Sequence, residues 1–278
     1  MTHPTPALGQ PNALLAQDQT LLPAVVSAVE ATGRLLLQRF ANQPGFVTRN
    51  DVVAAIYAND GAALEVLRPA LRRARSTAQW TEDELESGPL PGGEWWVTDP
   101  VEGNVNHIHG MTDWGVTATL VRDNAPVLTA VHLPLLGTTY SAVQGGGAFQ
   151  DGVALRPSDK TALDGALVGT GQARPGESSE TLRRIGLSVV ALLERALVLR
   201  VSVPATLQLI QVAAGRMDAF WQFSAVRSGL LAGALLIAEA GGLVTDLQGR
   251  PWTLSSEDFL ASAPGLHRAA LEVLSKVQ

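Results

Sequence analysis

The 278-residue chain contains no cysteine. Disulfides, thiolate metal ligands and thiol nucleophiles are therefore excluded. Charge is scarce, at 17% of residues, and its balance is acidic, with 20 basic against 26 acidic side chains and a formal net charge of -6. No basic surface is available to recruit nucleic acid or anionic lipid. No run approaches the roughly 18 uninterrupted apolar residues of a membrane span. The first 17 residues lack the basic start and apolar stretch of a signal peptide. These absences lead us to expect a soluble, cytoplasmic protein with no nucleic-acid or membrane partner. An anionic substrate would need a cation or clustered amides to hold it.

What the chain does have is apolar content, at 46% hydrophobic residues, enough for a sizeable core. Apolar residues at helical spacing predict a helix over Leu21–Phe40 and a second over Ala62–Arg75. The basic run Arg72, Arg73, Arg75 reads as a complement to that second helix's dipole. Glu94–Thr98 reads as a strand closed by Asp99-Pro100, and three more strand-like runs lie between Trp114 and Val143. Gly145-Gly146-Gly147 reads as a tight turn rather than a phosphate cradle, because strands flank it. From residue 160 the pattern alternates strand and helix, ending in a helix over Leu266–Val277. The divisions drawn are an N-terminal extension (1–18), helices with an antiparallel sheet (19–155) and an α/β half (156–278).

The chemistry concentrates in two segments. One is Trp80-Thr-Glu-Asp-Glu-Leu-Glu86, and the other is Trp96-Val-Thr-Asp-Pro-Val-Glu-Gly-Asn-Val-Asn-His-Ile-His-Gly110. Carboxylates from a strand end, next to the backbone amides of Gly103 and Asn104 at a helix start, form a hard-oxygen and amide set. Such a set suits a divalent cation and a phosphate together. An acidic run such as Glu82–Glu86 is by itself only a solvated loop. The pairing with the second motif gives it meaning.

Asp99-Pro-Val-Glu-Gly-Asn-Val-Asn-His107 resembles the Asp-Pro-Ile/Leu-Asp-Gly-Thr-x-Asn-Phe hallmark of the inositol monophosphatase family. Thr81-Glu82-Asp83 is similar to that family's Gly-Glu-Glu, and Glu239-Ala-Gly-Gly242 to its late Ala-Gly-Gly. The resemblance implies a layered α-β-α-β-α sandwich and a Mg²⁺-dependent phosphomonoesterase for a small sugar, cyclitol or amino-alcohol phosphate. It also implies a homodimer. Carried over, it makes Glu82, Asp99, the Val101 carbonyl and Glu102 metal ligands. Glu82, Asp83, Asn104 and Arg227 become catalytic groups, while Gly103, Asn104, Gln222, Arg227 and Ser228 contact phosphate or substrate.

Departures from the family pattern fall on the chemistry. Asn104 stands for a Thr that positions water, and Glu102 for an Asp. Gly229 stands for an Asp that ligates the second metal, Gln222 for a Glu that contacts the ring, and Tyr57 for a carboxylate. One firm Mg²⁺ and a degenerate second site are therefore expected, with Arg227 gripping phosphate oxygens in place of the missing ion. The alternative is a family scaffold turned to binding, regulation or non-phosphatase chemistry. His107 and His109 could form a metal-binding pair if extended, although structural hydrogen bonding is the preferred reading. Trp95, Trp96, Trp114 and Trp221 are expected in the core or an interface.

Overall fold

A computed structural model describes residues 10–40, 48–81, 88–173, 176–223 and 227–277. Two long helices, α1 (Gln10–Phe40) and α2 (Arg49–Ala74), open the chain. They cover a seven-stranded sheet made of β1 (Gln79–Trp80), β2 (Glu94–Glu102), β3 (Gly115–Arg122), β4 (Ala125–Leu133), β5 (Thr138–Val143), β6 (Gly147–Gln150) and β7 (Val153–Ala154). The strands lie in sequence order and pair antiparallel, apart from the parallel β1–β2 pair. The short helix α3 (Asn104–Ile108) follows β2 directly.

The second half contains β8 (Leu167–Thr170), α4 (Ser179–Leu193), β9 (Val198–Val201), α5 (Ala205–Ala213), β10 (Ala219–Gln222), α6 (Arg227–Glu239), β11 (Leu243–Thr245), β12 (Phe259–Ser262) and α7 (His267–Leu274). Its sheet has the order β11-β12-β10-β8-β9, with β8 parallel to both β10 and β9. Helices α5 and α6 pack together between the two sheets, while α4 and α7 cover the outer face of the second. The result is the five-layer α-β-α-β-α sandwich.

Each interlayer space is filled by its own apolar cluster. Val25, Val29, Leu36, Leu67 and Leu71 of the outer helices meet Trp96, Val116 and Leu120 of the first sheet. Leu209, Leu230, Leu235 and Ile237 fill the middle with Tyr140, Phe220 and Phe259. Trp221, Leu260, Leu266 and Leu274 form the outer cluster of the second sheet. Three of the four tryptophans expected inside, Trp96, Trp114 and Trp221, are fully buried. By length and composition alone α1 could cross a membrane, yet one face of it packs into this core.

Two helix starts lie earlier than the periodicity suggests. α2 begins at Arg49, because Thr48 and Asp51 form a reciprocal capping box. The signal Thr-x-x-Asp was present in the sequence. α1 begins at Gln10, so the division drawn after residue 18 falls inside a helix. There Asp18 accepts two hydrogen bonds from Arg122 at 2.8 and 3.0 Å. Arg122 also reaches Glu94, which pairs in turn with Arg75 at 2.7 Å. These four charges tie both outer helices to the edge of the first sheet. The Gly145–Gly147 run is a turn, as expected, and its Gly145 and Gly147 amides donate to the two carboxylate oxygens of Glu239 at 2.8 and 2.9 Å.

Asp18 is only 3% exposed, so Arg122→Ala strands its carboxylate away from water, while Glu94 keeps Arg75. The expected loss is about 3 kcal/mol in urea unfolding, well above that of removing an exposed pair such as Arg268 and Glu272.

Candidate active site

Strand β2 delivers Asp99 and Glu102 to one end of the first sheet, where its pairing with β3 shifts register between them. Asp99 is half-buried, and its Oδ1 accepts the Val101 amide at 3.1 Å. That tight turn leaves the Val101 main chain beside the carboxylate. The chain then needs a left-handed residue, and Gly103 supplies it with φ of +80°. A Cβ there would lie 2.6 Å from the Asp113 carbonyl oxygen and 3.1 Å from the Pro204 ring. Glycine is thus required twice, for its torsion and for the close approach of the second half.

Asn104 opens α3, and its side chain faces α2. Nδ2 donates to the Ile56 carbonyl at 3.1 Å and to Asp60 Oδ1 at 2.7 Å, while Oδ1 accepts from Asn59 Nδ2 at 3.0 Å. Both amide protons are engaged, so the hydrogen bonds expected to orient a water go to α2 instead. Asp60 is the acid that sequence reasoning missed. Tyr57, matched there to a family carboxylate, is 72% exposed. The family pattern Val-Thr-x-x-Asp fits three residues later, on Ile56-Tyr57-Ala58-Asn59-Asp60, and helix α2 turns Asp60 toward Asn104. Burial raises the Asp60 carboxyl to about 6, partly offset by the Asn104 hydrogen bond. The site therefore keeps a carboxylate at a position that first looked lost.

His107 and His109 lie in and just after a helical turn, not an extended strand, so their side chains do not share a face. Asn59 Nδ2 donates to His107 Nδ1 at 3.0 Å, which leaves Nε2 protonated and donating to the Leu36 carbonyl at 3.0 Å. Burial lowers the His107 pKa, keeping the ring neutral. His109 Nδ1 lies 2.7 Å from the Val105 carbonyl. His107 serves the α1–α2–α3 junction, whereas His109 is exposed and bonds back within its own helical turn.

Glu102 is 4% exposed and lies against α5 and α6. Its Oε2 is 2.6 Å from the Thr206 hydroxyl, which is itself 3.0 Å from the Gly229 carbonyl oxygen. A hydroxyl carries one proton and cannot satisfy both acceptors fully. With the carboxyl protonated, Glu102 donates to Thr206 and Thr206 donates to Gly229, and every partner is met. Burial pushes Glu102 to about 7, with the Thr206 bond opposing.

On the opposite wall, Gln222 ends β10, and Arg227 and Ser228 open α6; all three are buried and already have interaction partners. Gly171 lies beside Gln222, and a Cβ there would be 2.9 Å from Gln222 Oε1, the movable end of that side chain. Glu82 and Asp83 lie outside the described residues, and the roles assigned to them are not located here. Among the described residues no three acidic or histidine side chains cluster as a metal-holding group.

A sequence profile of the inositol monophosphatase family matches residues 17–278. The chain belongs to the inositol monophosphatase family. It is 31% identical over 258 residues to an inositol-1-monophosphatase of Rhizobium meliloti, covering 92% of this chain and 96% of that protein. It is equally 31% identical over 261 residues to a Pseudomonas aeruginosa protein named Nus factor SuhB, again with 92% and 96% coverage. The fold matches the solved inositol monophosphatase of Anabaena with a TM-score of 0.81 at 23% identity, over 95% of this chain and 98% of that one. The family is one of metal-dependent phosphoric monoester hydrolases.

The donor set fits a cation unequally at the two places the family uses. At the first, the Asp99 carboxylate and Val101 carbonyl are hard oxygens of the kind Mg²⁺ takes. At the second, Gly229 offers no side chain, and the facing Glu102 oxygen is bonded to Thr206. That set does not fit a second ion.

Gly103→Ala meets a main-chain oxygen and an unfavourable torsion together, so we expect a loss of about 2–4 kcal/mol in stability, read by denaturant melts. For Glu102, a folded pKa of about 7 against 4.5 unfolded means the folded state binds the extra proton between those values. Stability from this group is complete below about pH 4.5 and falls as pH rises through 7. Glu102→Gln removes that slope. In chelator, the variant gains on the order of 3 kcal/mol more, relative to the parent, at pH 8 than at pH 4.

Proposed function

We propose that this chain is a phosphomonoesterase for a small sugar, cyclitol or amino-alcohol phosphate, working with one Mg²⁺ held by Glu82, Asp99 and the Val101 carbonyl. The observation that carries this reading is the β2 end. Asp99, Val101 and Gly103 are held there in a turn that only glycine completes, against the second half of the fold. When bound, the cation would withdraw charge from the phosphate and make an attacking water more acidic.

The chain's own groups supply the rest. First-turn amides of α3, beginning at Asn104, have no carbonyl within their helix to bind and suit a phosphate oxygen. Asp60, with a pKa near 6, is the carboxylate on this side able to take a proton near neutral pH. Arg227, at the start of α6, is the cation placed to balance phosphate charge where the second ion would have stood. Ser228 and Gln222 line the substrate side. Gln222 presents a neutral amide where a carboxylate would meet a ring hydroxyl, and Gly229 presents no side chain. This favours a small polyol phosphate over inositol phosphate itself. We place the enzyme in the cytoplasm as a homodimer.

A second reading draws on the loss of the acid at Gly229, and it has the scaffold serving binding or regulation. The similarity to a protein named Nus factor is in keeping with it. Phosphate release separates the two. We expect turnover of at least one member of a sugar, cyclitol and amino-alcohol phosphate panel with Mg²⁺, falling at least about a hundredfold (roughly 3 kcal/mol in barrier) in Asp99→Asn with the fold retained. Absence of release across the panel, together with a melting temperature that Mg²⁺ does not move, would establish the binding reading.

A further inference from the structure

The second cation position departs from the family in a way that one side chain explains. Gly229 lies in the first turn of α6, and a Cβ built on it meets nothing within 4 Å. Among the described residues, then, the start of a side chain meets no steric obstacle there. What occupies the neighbourhood is the Thr206 hydroxyl. It lies 2.6 Å from Glu102 Oε2 and 3.0 Å from the Gly229 main-chain carbonyl oxygen, so it engages the Glu102 oxygen that a second ion would need. Thr206 is fully buried in the first turn of α5, and Glu102 is nearly so. The three groups come from three elements, β2, α5 and α6, and hence from both halves of the molecule.

We infer that Thr206 fixes the cation count of this site. Its hydroxyl holds the Glu102 oxygen that a second ion would need and joins Glu102 to the α6 main chain by hydrogen bonds instead of metal ligation. The inference rests on the one-cation reading given above and deepens it. It makes the lost carboxylate only half of the change, so that restoring an acid at residue 229 does not by itself restore an ion. As long as the hydroxyl remains, Glu102 Oε2 is turned to it and is not available as a ligand. A hydroxyl-free side chain of similar shape would leave Glu102 Oε2 without its hydrogen bond and available to ligate. That arrangement draws a divalent ion once a second carboxylate is present.

The test counts Mn²⁺ bound to the full-length protein, using electron paramagnetic resonance of the free ion. Four forms are compared: parent, Gly229→Asp, Gly229→Asp with Thr206→Val, and Gly229→Asp with Thr206→Ser. We expect Gly229→Asp to bind as many ions as the parent. The Val double variant should bind one more, and the Ser double variant, which keeps a hydroxyl, should match Gly229→Asp. Adding Glu102→Gln to the Val double variant should remove the extra ion. Equal counts for Gly229→Asp and its Val derivative, or an extra ion already present in Gly229→Asp or in the Ser form, overturn the role of Thr206. If circular dichroism shows the Val form unfolded, Thr206→Ala replaces it, since it also lacks the hydroxyl. The parent's own count tests a different claim. A parent that binds no Mn²⁺ overturns the one-cation phosphatase, whereas the difference between variants still decides the role of Thr206.

Discussion

The molecule turns on a carboxyl group that has to be buried. Glu102 ends a strand of the first sheet and is driven between the two sheets by the Gly103 turn, where no solvent reaches it. A buried acid needs hydrogen-bond partners, and here the Thr206 hydroxyl, itself bonded to a helix carbonyl, meets one of its oxygens. The choice sets much else. The group sits more comfortably neutral than charged, and the two halves are joined by a short hydrogen-bonded chain. Asp99, three residues earlier and half-buried, keeps the exposure and hard-oxygen character that its neighbour gives up. Two acids of one motif thus differ in character through their surroundings alone.

The same economy governs the approach of α2. Asn59, Asp60, Asn104 and His107 share one set of hydrogen bonds that fixes the angle between α2 and α3. Arg39 extends it by donating to Asn59 Oδ1 at 2.7 Å. Because the His107 ring is neutral with its proton on Nε2, the junction carries no charge beyond Arg39 and Asp60. The catalytic edge is thereby held by groups on the first sheet's side, while its far wall is built by α6 and the end of β10.

Much of this was legible before any coordinates. In the second half the expected alternation of strand and helix is what the fold shows, and several of its switches of period are marked by Gly or Pro, as at Pro204, Gly215 and Gly241. The hallmark motif gave the family. Three things were harder to read. The early start of α2 depended on a capping box whose apolar face is interrupted by the Asn59-Asp60-Gly61 step. The frame of the Asp60 motif slipped by three residues, since an isolated acid at Asp51 offered an equally good anchor in one dimension and only the helix shows which acid turns inward. The engagement of Asn104 with α2 was hidden because its partners are 44 to 48 positions away in sequence. Thr206 carried no signal at all: a threonine near a helix start is commonplace, and its meaning comes from Glu102, 104 residues earlier.

Helix α6 is pinned at both ends. At its beginning the Gly229 carbonyl is bound through Thr206 to the strand that carries the catalytic acids. At its end Glu239 grips the amides of the Gly145–Gly147 turn. The two anchorages lie near opposite ends of this 13-residue helix, about 15 Å apart. It acts as a tie-rod threaded through the middle layer, fastened to the first sheet at two distant points. Relative sliding of the sheets is blocked lengthwise, so any loosening of the catalytic cleft has to come from the outer helices or the loops rather than from the central layers.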